Sequence, residues 1–308
     1  MYIIADIGSN WRTKEDCLQS IFYAHKAGAD AVKFQYFSHE KLYGFKSKMF
    51  PGSLQRDWIA HLHKKAIAHG IDFMVTPFHD KDVKFLNRYV DRWKISSSDI
   101  TYYPLLEAVG ETGKQIILSC GASNDENIRR ALEVLKDNDV ILLYCVSSYP
   151  SVEDDYFYIK YLADKYGVQT GYSDHTLQVY NGLLMCDLMG GVVYEKHFKI
   201  ADMKSPDNGH SLDYLSFSRM TMRYHGDFKP YQMKNFGEDD MYKYHNRRLV
   251  VTKDIKRGDI FKYGTNFGYY RSTIKCDYSY EVDRKVVDGR KSTCFISAGS
   301  SICGGDFV

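Results

Sequence analysis

The amino-acid sequence predicts an α/β protein: a closed parallel (β/α)8, or TIM, barrel over residues 1–224, a linker over 225–246 and a small β-rich domain over 247–308. Three observations predict this. Eight short β-rich runs recur along the first two-thirds of the chain. Helix-period segments separate them, the alternation from which parallel sheets are built. After residue 246 the rhythm stops and the texture becomes strand-rich. A doubly wound open sheet is the competing architecture, and the lack of a G-x-G-x-x-G after the first run counts against it.

The first run is YIIADIG (2–8). Residues 14–28 follow, with Cys17, Leu18, Ile21, Phe22 and Ala24 on one stripe and Gly28 at the end. The second run, DAVKFQ (30–35), places Lys33 and Gln35 on one face, because strand side chains alternate. FSHEKLYGFKSKMFPGSLQ (37–55) leads to a helix over 56–70, striped by Trp58, Ile59, Leu62, Ala66 and Ile67 and stopped by Gly70. DFMVTPF (72–78) pairs Thr76 with Phe78. RWKISS (92–97) carries Lys94, with Ser97 and Asp99 at its exit. QIILSCG (115–121) carries Ser119, and a helix over 125–137 uses Ile128, Ala131, Leu132 and Leu135. VILLYCVSS (140–148) ends on Ser147 and Tyr149, which share a face. QTGYSDH (169–175) pairs Ser173 with His175, and GVVYEKHF (191–198) pairs Glu195 with His197. The helical pattern then runs to about residue 224. HGDFKPYQMKNFGEDDMYKYHN (225–246) is polar and tyrosine-rich, and RRLVVTKDIKRGDIF (247–261) turns on Gly258.

In such a barrel the polar residues at the C-terminal strand ends form the usual catalytic set. Two imidazoles, His175 and His197, delivered by neighbouring strands point to a divalent metal with open positions for water and substrate oxygen. Nitrogen and oxygen ligands permit Mn, Fe, Co or Zn. A lysine inside an apolar strand needs a partner. Lys33 and Lys94 therefore either snorkel outward between barrel and helices or, with Gln35, Ser119 and Ser147, form a site for a phosphate or carboxylate. Asp99 is a candidate general acid or base, or an N-cap.

Composition sets outer bounds. The 308 residues are 44% hydrophobic and 26% charged with a net charge of +2, which offers no argument for a nucleic-acid or membrane partner. No apolar run is long enough to span a bilayer, and MYIIADIGSN lacks the regions of a signal peptide. Seven scattered cysteines without a C-x-x-C pair read as reduced thiols of a cytoplasmic protein.

The motifs GADAVKFQ (28–35), TPF (76–78), KISSSDITYYPLLE (94–107), IILSCG (116–121), YCVSSYP (144–150), GYSDHT (171–176), EKHF (195–198) and SPDNGHSL (205–212) resemble those of the N-acylneuraminate (sialic acid) synthases with their legionaminate, pseudaminate and spore-coat relatives. KDIKRGDIF (253–261), with Arg271 after it, resembles that family's antifreeze-like (SAF) domain. The resemblance implies condensation of phosphoenolpyruvate with the open-chain aldehyde of an N-acyl mannosamine-type amino sugar, giving a nine-carbon 2-keto acid and phosphate. It implies that His175 and His197 bind Mn2+, with Mg2+ or Co2+ as alternatives, and that Glu195 holds a water. Lys33, Gln35, Thr76, Lys94, Ser97, Ser119, Ser147 and Ser173 would surround phosphoenolpyruvate. Asp99 matches an essential acidic position, and Tyr149 and Asp207 match sugar contacts. Arg271 would reach the barrel of the partner in a domain-swapped homodimer. The strand-one loop ADIGSNWRT (5–13) departs from the family's A-E-I-G-x-N-H-x-G: Asp6 stands for Glu, Trp11 for His, and the closing Gly is missing. That departure leaves two further readings, a synthase for a 2,4-diacetamido hexose and a non-catalytic sugar-binding protein.

Overall fold

Strand and helix alternate as the apolar periods require: β1 (Tyr2–Gly8), α1 (Lys14–Lys26), β2 (Ala31–Tyr36), α2 (Ile59–His69), β3 (Asp72–Pro77), α3 (Asp80–Leu86), β4 (Arg92–Ile95), α4 (Tyr103–Gly110), β5 (Gln115–Ser119), α5 (Asp125–Val134), β6 (Val140–Cys145), α6 (Phe157–Tyr166), β7 (Gln169–Asp174), α7 (Asn181–Leu188), β8 (Val193–Lys199) and, after a two-residue β9 (Leu212–Asp213), α8 (Tyr214–Tyr224). This computed structural model describes residues 1–38, 54–152, 154–226, 247–271 and 284–308. Most of the 37–55 segment and of the 225–246 linker lies outside them. The strands pair in the order β3-β2-β1-β8-β7-β6-β5-β4, and β3 and β4 face each other across the remaining seam. The result is the (β/α)8 barrel rather than the open sheet.

Period-2 alternation divides the strand residues into two sets. One set, including Ile3, Ala5, Ile7, Val32 and Phe34, packs outward against the helices. The other points inward, where Ile4, Ala31, Met74, Ile117, Ile141, Leu143 and Val193 form an apolar layer. Two residues further along the same strands stand Asp6, Lys33, Thr76, Ser119, Cys145 and Glu195, all buried. The barrel thus carries a polar layer on an apolar floor, at its C-terminal end.

Helix ends follow their capping residues. Thr13 and Asp16 make a reciprocal capping box at α1, Asn124 and Asn127 do so at α5, and Gly70 ends α2 in the left-handed conformation. Two residues assigned to buried stripes differ from expectation: Phe22 is 36% exposed and Ile67 59%.

Strands β7 and β8 are joined by more than their ladder. Gly171 lies opposite Val193, and a Cβ there would collide with the Val193 carbonyl, so only glycine permits this approach. On the outward face, Asp174 lies opposite Lys196. Their side chains are fully buried with Lys196 Nζ 2.9 Å from Asp174 Oδ1. Lys196 also donates to the Thr176 carbonyl at 2.5 Å, and Tyr194 donates to Asp174 Oδ2 at 2.5 Å. A buried pair is tolerable when its remaining valences are met in this way. The residues next in sequence, His175 and His197, are delivered to the inner rim by the same alternation.

The chain forms two compact units, Met1–Phe228 and Lys229–Val308. In the second, β10 (Arg247–Val251) pairs antiparallel with β11 (Phe267–Arg271). Isolated bridges such as Ile255↔Ile296 and Ser292↔Phe307 extend it. Leu249, Val251, Ile255, Phe261, Phe267, Val287, Ile296 and Ile302 form its core. The turn at Gly258 is present, its amide donating to the Ser292 carbonyl at 2.7 Å.

Candidate active site

A cavity of about 90 Å³ opens above the polar layer, lined by side chains from all eight strands. Its floor is set by register. Asp6 lies opposite Lys33 on one side and opposite His197 on the other. Lys33 Nζ sits 2.8 Å from Asp6 Oδ2 and 3.6 Å from Glu195 Oε2. Burial alone would lower the Lys33 ammonium, but Asp6 and Glu195 outweigh it and hold its pKa above the ordinary lysine value.

Lys94 is placed differently. It donates to Ser119 Oγ at 2.7 Å and to the Ile95 carbonyl at 2.9 Å, and Glu195 Oε1 is 3.7 Å away. Burial lowers its pKa and Lys33 adds to that, against the pull of Glu195. Both lysines face the cavity, so the outward snorkelling alternative does not describe them; that outer layer is occupied instead by Lys196. Burial raises Glu195, but Lys33, Lys94 and a 2.9 Å hydrogen bond from Ser173 hold it well below the usual carboxylate range. Its Oε2 has no hydrogen-bond partner among the described residues. Ser97 accepts from the Gly121 amide at 3.0 Å. Burial pushes the Cys145 thiol up.

The rim carries the imidazoles. His175 Nδ1 lies 2.8 Å from the Val146 carbonyl, which assigns the proton to Nδ1 and leaves Nε2 as the lone-pair donor. Burial, helped by His197, pushes its pKa down to about 3, so the ring is neutral. The ring centroids of His175 and His197 are 5.6 Å apart. The Tyr149 ring packs against His175, tilted by 34° with centroids 4.2 Å apart. The loop after β8 adds His210 and Asp207. Ligand atoms of His197, Asp207 and His210 lie within 4.8 Å of one another, a group able to hold a metal ion. Asp207 Oδ2 accepts from the Ser9 amide at 2.7 Å and from Ser9 Oγ at 2.8 Å. Gly8, at φ +52°, leaves the space for it, because a Cβ there would collide with the Asp207 carboxylate.

These residues fit a divalent cation. The buried Nδ1 of His197 and Nε2 of His210 have no hydrogen-bond partner among the described residues, and imidazole with carboxylate is a donor set for Mn, Fe, Co or Zn. The cavity lining holds three carboxylates, Asp6, Glu195 and Asp207, against two ammonium groups, Lys33 and Lys94. With histidine counted as neutral it carries one net negative charge, and a divalent ion makes it net positive.

The structure brings together Lys33, Gln35, Thr76, Lys94, Ser97, Ser119, Tyr149, Ser173, His175, Glu195, His197 and Asp207 around this cavity. Ser147 is exposed beside Cys145 and Asp99 is buried behind Ser97; neither lines the cavity. Arg271 ends β11, in the second unit. The sequence reading did not count Asp6, Phe78, Ser96, Cys145 or His210 as site residues. Alternation alone puts Asp6 inward, Phe78 beside Thr76, and Cys145 two residues before Ser147. His210 has no strand period to reveal it.

Asp99 has its pKa raised to about 6 by burial, against hydrogen bonding from Ser96 and the pull of Lys94. An acid whose pKa rises on folding binds its proton more tightly in the native state. The penalty is absent below pH about 4 and complete above about 6. At 1.36 kcal/mol per pKa unit it amounts to about 3 kcal/mol. Asp99→Asn is therefore expected to be more stable than the wild type at pH 8 by up to about 3 kcal/mol, and to lose that advantage at pH 4. Urea denaturation at both pH values checks this; an advantage that does not change with pH would contradict it.

A profile described as the NeuB family matches residues 20–227. The chain is 36% identical over 276 residues to an uncharacterized protein of Methanocaldococcus jannaschii, covering 84% of this chain and 81% of that one. It is 32% identical over 296 residues to the N,N'-diacetyllegionaminic acid synthase of Campylobacter jejuni, covering 85% and 88%. Among solved structures, the N-acetylneuraminic acid synthetase of Leptospira borgpetersenii in complex with citrate superposes with a TM-score of 0.68 at 28% identity, over 79% of this chain and 90% of that one.

Proposed function

The chain belongs to the NeuB family, and we propose that it condenses phosphoenolpyruvate with the open-chain aldehyde of an N-acylmannosamine-type sugar, releasing phosphate and a nine-carbon 2-keto acid. The observation that carries this reading is the polar layer itself: two buried lysines and four serines line one cavity together with the imidazoles of His175 and His197 and with Asp207. The lysines and serines suit a phosphorylated carboxylate. The imidazoles and Asp207 suit a carbonyl oxygen.

Lys94, Ser119, Ser97 and Thr76 receive the anion in this reading. Thr76 Oγ1 is buried without a hydrogen-bond partner among the described residues, and the Glu195 carboxylate paired with Lys94 stands 3.7 Å away, outside hydrogen-bond length. In this reading His175, His197 and the carboxylates beside them would hold a divalent ion, Mn2+, which would supply Lewis-acid polarisation of the aldehyde. Carbon 3 of the enol forms the new bond to the aldehyde carbon, whose oxygen takes a proton. Glu195 Oε2 orients a water and accepts its proton as the water adds to carbon 2. The tetrahedral centre then expels phosphate, leaving the ketone. Tyr149 and Asp207 bound the sugar side. In the same reading residues 1–224 are the catalytic domain, residues 247–308 are an antifreeze-like domain joined by the 225–246 linker, and Arg271 reaches the site of a partner subunit in a cytoplasmic homodimer. Its support is the KDIKRGDIF motif and Arg271.

A second sugar is favoured by the Campylobacter relative, whose name specifies diacetyllegionaminic acid as product: a 2,4-diacetamido hexose. Incubation with phosphoenolpyruvate, Mn2+ and each sugar in turn, followed by phosphate assay and mass spectrometry, is expected to give the nine-carbon acid with one of them. Binding of phosphoenolpyruvate without product from any hexose would instead establish the non-catalytic alternative.

A further inference from the structure

On the reading that Tyr149 bounds the sugar side of the cavity, we propose that a buried polar row behind β6, β7 and β8 is a positioning device for that tyrosine. Tyr144, Tyr172, Tyr194 and the Asp174–Lys196 pair anchor the loop between β6 and α6, and so set the affinity for the sugar but not for phosphoenolpyruvate.

The row follows from register. Tyr144 lies opposite Tyr172 and Tyr172 opposite Tyr194, so alternation sends all three rings outward, into the layer between barrel and helices. Tyr172 and Tyr194 are fully buried there. Phenylalanine would fill such places without a hydroxyl to satisfy. Each hydroxyl instead meets a partner near the C-terminal strand ends. Tyr144 Oη accepts from the Asp155 amide at 3.1 Å, Tyr172 donates to Asp154 Oδ2, and Tyr194 donates to Asp174 Oδ2 at 2.5 Å. Asp154 and Asp155 belong to the loop that also carries Tyr149.

The ion pair completes the anchor. Apolar replacement of a buried pair is often neutral or stabilising, so stability alone does not account for Asp174 and Lys196. What they add is connection. Asp174 Oδ1 accepts from the Thr176 amide at 2.7 Å, and Lys196 donates to the Thr176 carbonyl. Between them His175 offers its own carbonyl to the Ser151 amide at 3.0 Å. The loop is thus tied at Ser151, Asp154 and Asp155. Tyr149 itself is 56% exposed, so its place at the cavity depends on those ties. Thr76, Lys94 and Ser119 stand on β3, β4 and β5, which contribute no member to the row.

Two double variants of the full-length protein test this: Tyr172→Phe with Asp154→Asn, and Lys196→Met with Asp174→Asn. Neither leaves a buried charge without its partner. Each is expected to raise KM about 10- to 100-fold for whichever of N-acetylmannosamine or the 2,4-diacetamido hexose is turned over, the scale of a small misplacement. KM for phosphoenolpyruvate is expected to stay as in the wild type. Hydrogen exchange is expected to speed up at the Ser151 and Asp155 amides and to be unaltered across β1 to β5. A row that only stabilises the fold would lower the melting temperature and move both KM values alike or neither. That pattern, or unaltered exchange at Ser151 and Asp155, would overturn the inference. A wild type that forms no product from either sugar would sink the proposed reaction, while the exchange measurement still decides whether the row holds the loop. Tyr144→Phe, which removes a single hydroxyl and is expected to speed exchange at Asp155, keeps that decision available if the double variants do not fold.

Discussion

Stripping the divalent ion with EDTA is expected to lower phosphate release from phosphoenolpyruvate at least 1,000-fold, with recovery on adding Mn2+. His197→Ala is expected to match the stripped enzyme and to resist rescue. The reason is charge as much as coordination. The cavity's three carboxylates outnumber its two lysines, so without a cation it repels a multiply charged anion. Lewis-acid stabilisation contributes several kcal/mol to such a reaction, and about 4 kcal/mol converts to roughly a thousandfold in rate. The effect should fall on both KM for phosphoenolpyruvate and kcat, since one ion serves anion binding and carbonyl polarisation. Turnover that survives exhaustive chelation would remove the metal from the mechanism. Loss of activity accompanied by loss of fold, read by circular dichroism, would assign the ion a structural role instead.

Much of this site is legible in the sequence because a strand has only two faces. Once YIIADIG, DAVKFQ and the six later runs are taken as strands, the positions two beyond the inward Ala31, Ile117 and Val193 are fixed, and Lys33, Ser119 and Glu195 follow. The same rule places Asp6 inward, yet its shorter carboxylate drew attention as a departure rather than as the partner of Lys33. What the period cannot supply is closure between distant segments. His210 reaches the rim because Asn10 and Ser9 fasten its loop across nearly 200 residues of chain, and no local pattern encodes that contact. Asp174 and Lys196 show the converse. Alternation sends them outward, and their value appears only when β7 and β8 are found in adjacent register. Asp99 was readable as an acid, but its burial depends on the turn of Ser97–Asp99 after β4.

The two lysines, alike in sequence, are expected to separate under mutation. Lys33→Met removes a charge that lies 2.8 Å from Asp6 and leaves that carboxylate buried and uncompensated. Breaking a buried pair in this way costs about 3–5 kcal/mol. At roughly 2–4 °C per kcal/mol for a unit of this size, the melting temperature should fall by about 6–20 °C. Lys94→Met should cost less, about 2 kcal/mol or under. Its ammonium rests on the neutral Ser119 hydroxyl and Ile95 carbonyl, and burial with Lys33 already pulls its pKa down. A cation left short of countercharge is one prepared for an incoming anion, so Lys94→Met should raise KM for phosphoenolpyruvate at least 10-fold with little change in melting. Adding Asp6→Asn to Lys33→Met should return most of the lost stability, because the double variant no longer buries an unpaired charge. Thermal melts of the four proteins and steady-state kinetics of Lys94→Met measure all of this. Equal melting for both single variants, or no recovery in the double, would mean that Asp6 is not the residue that holds Lys33 in place.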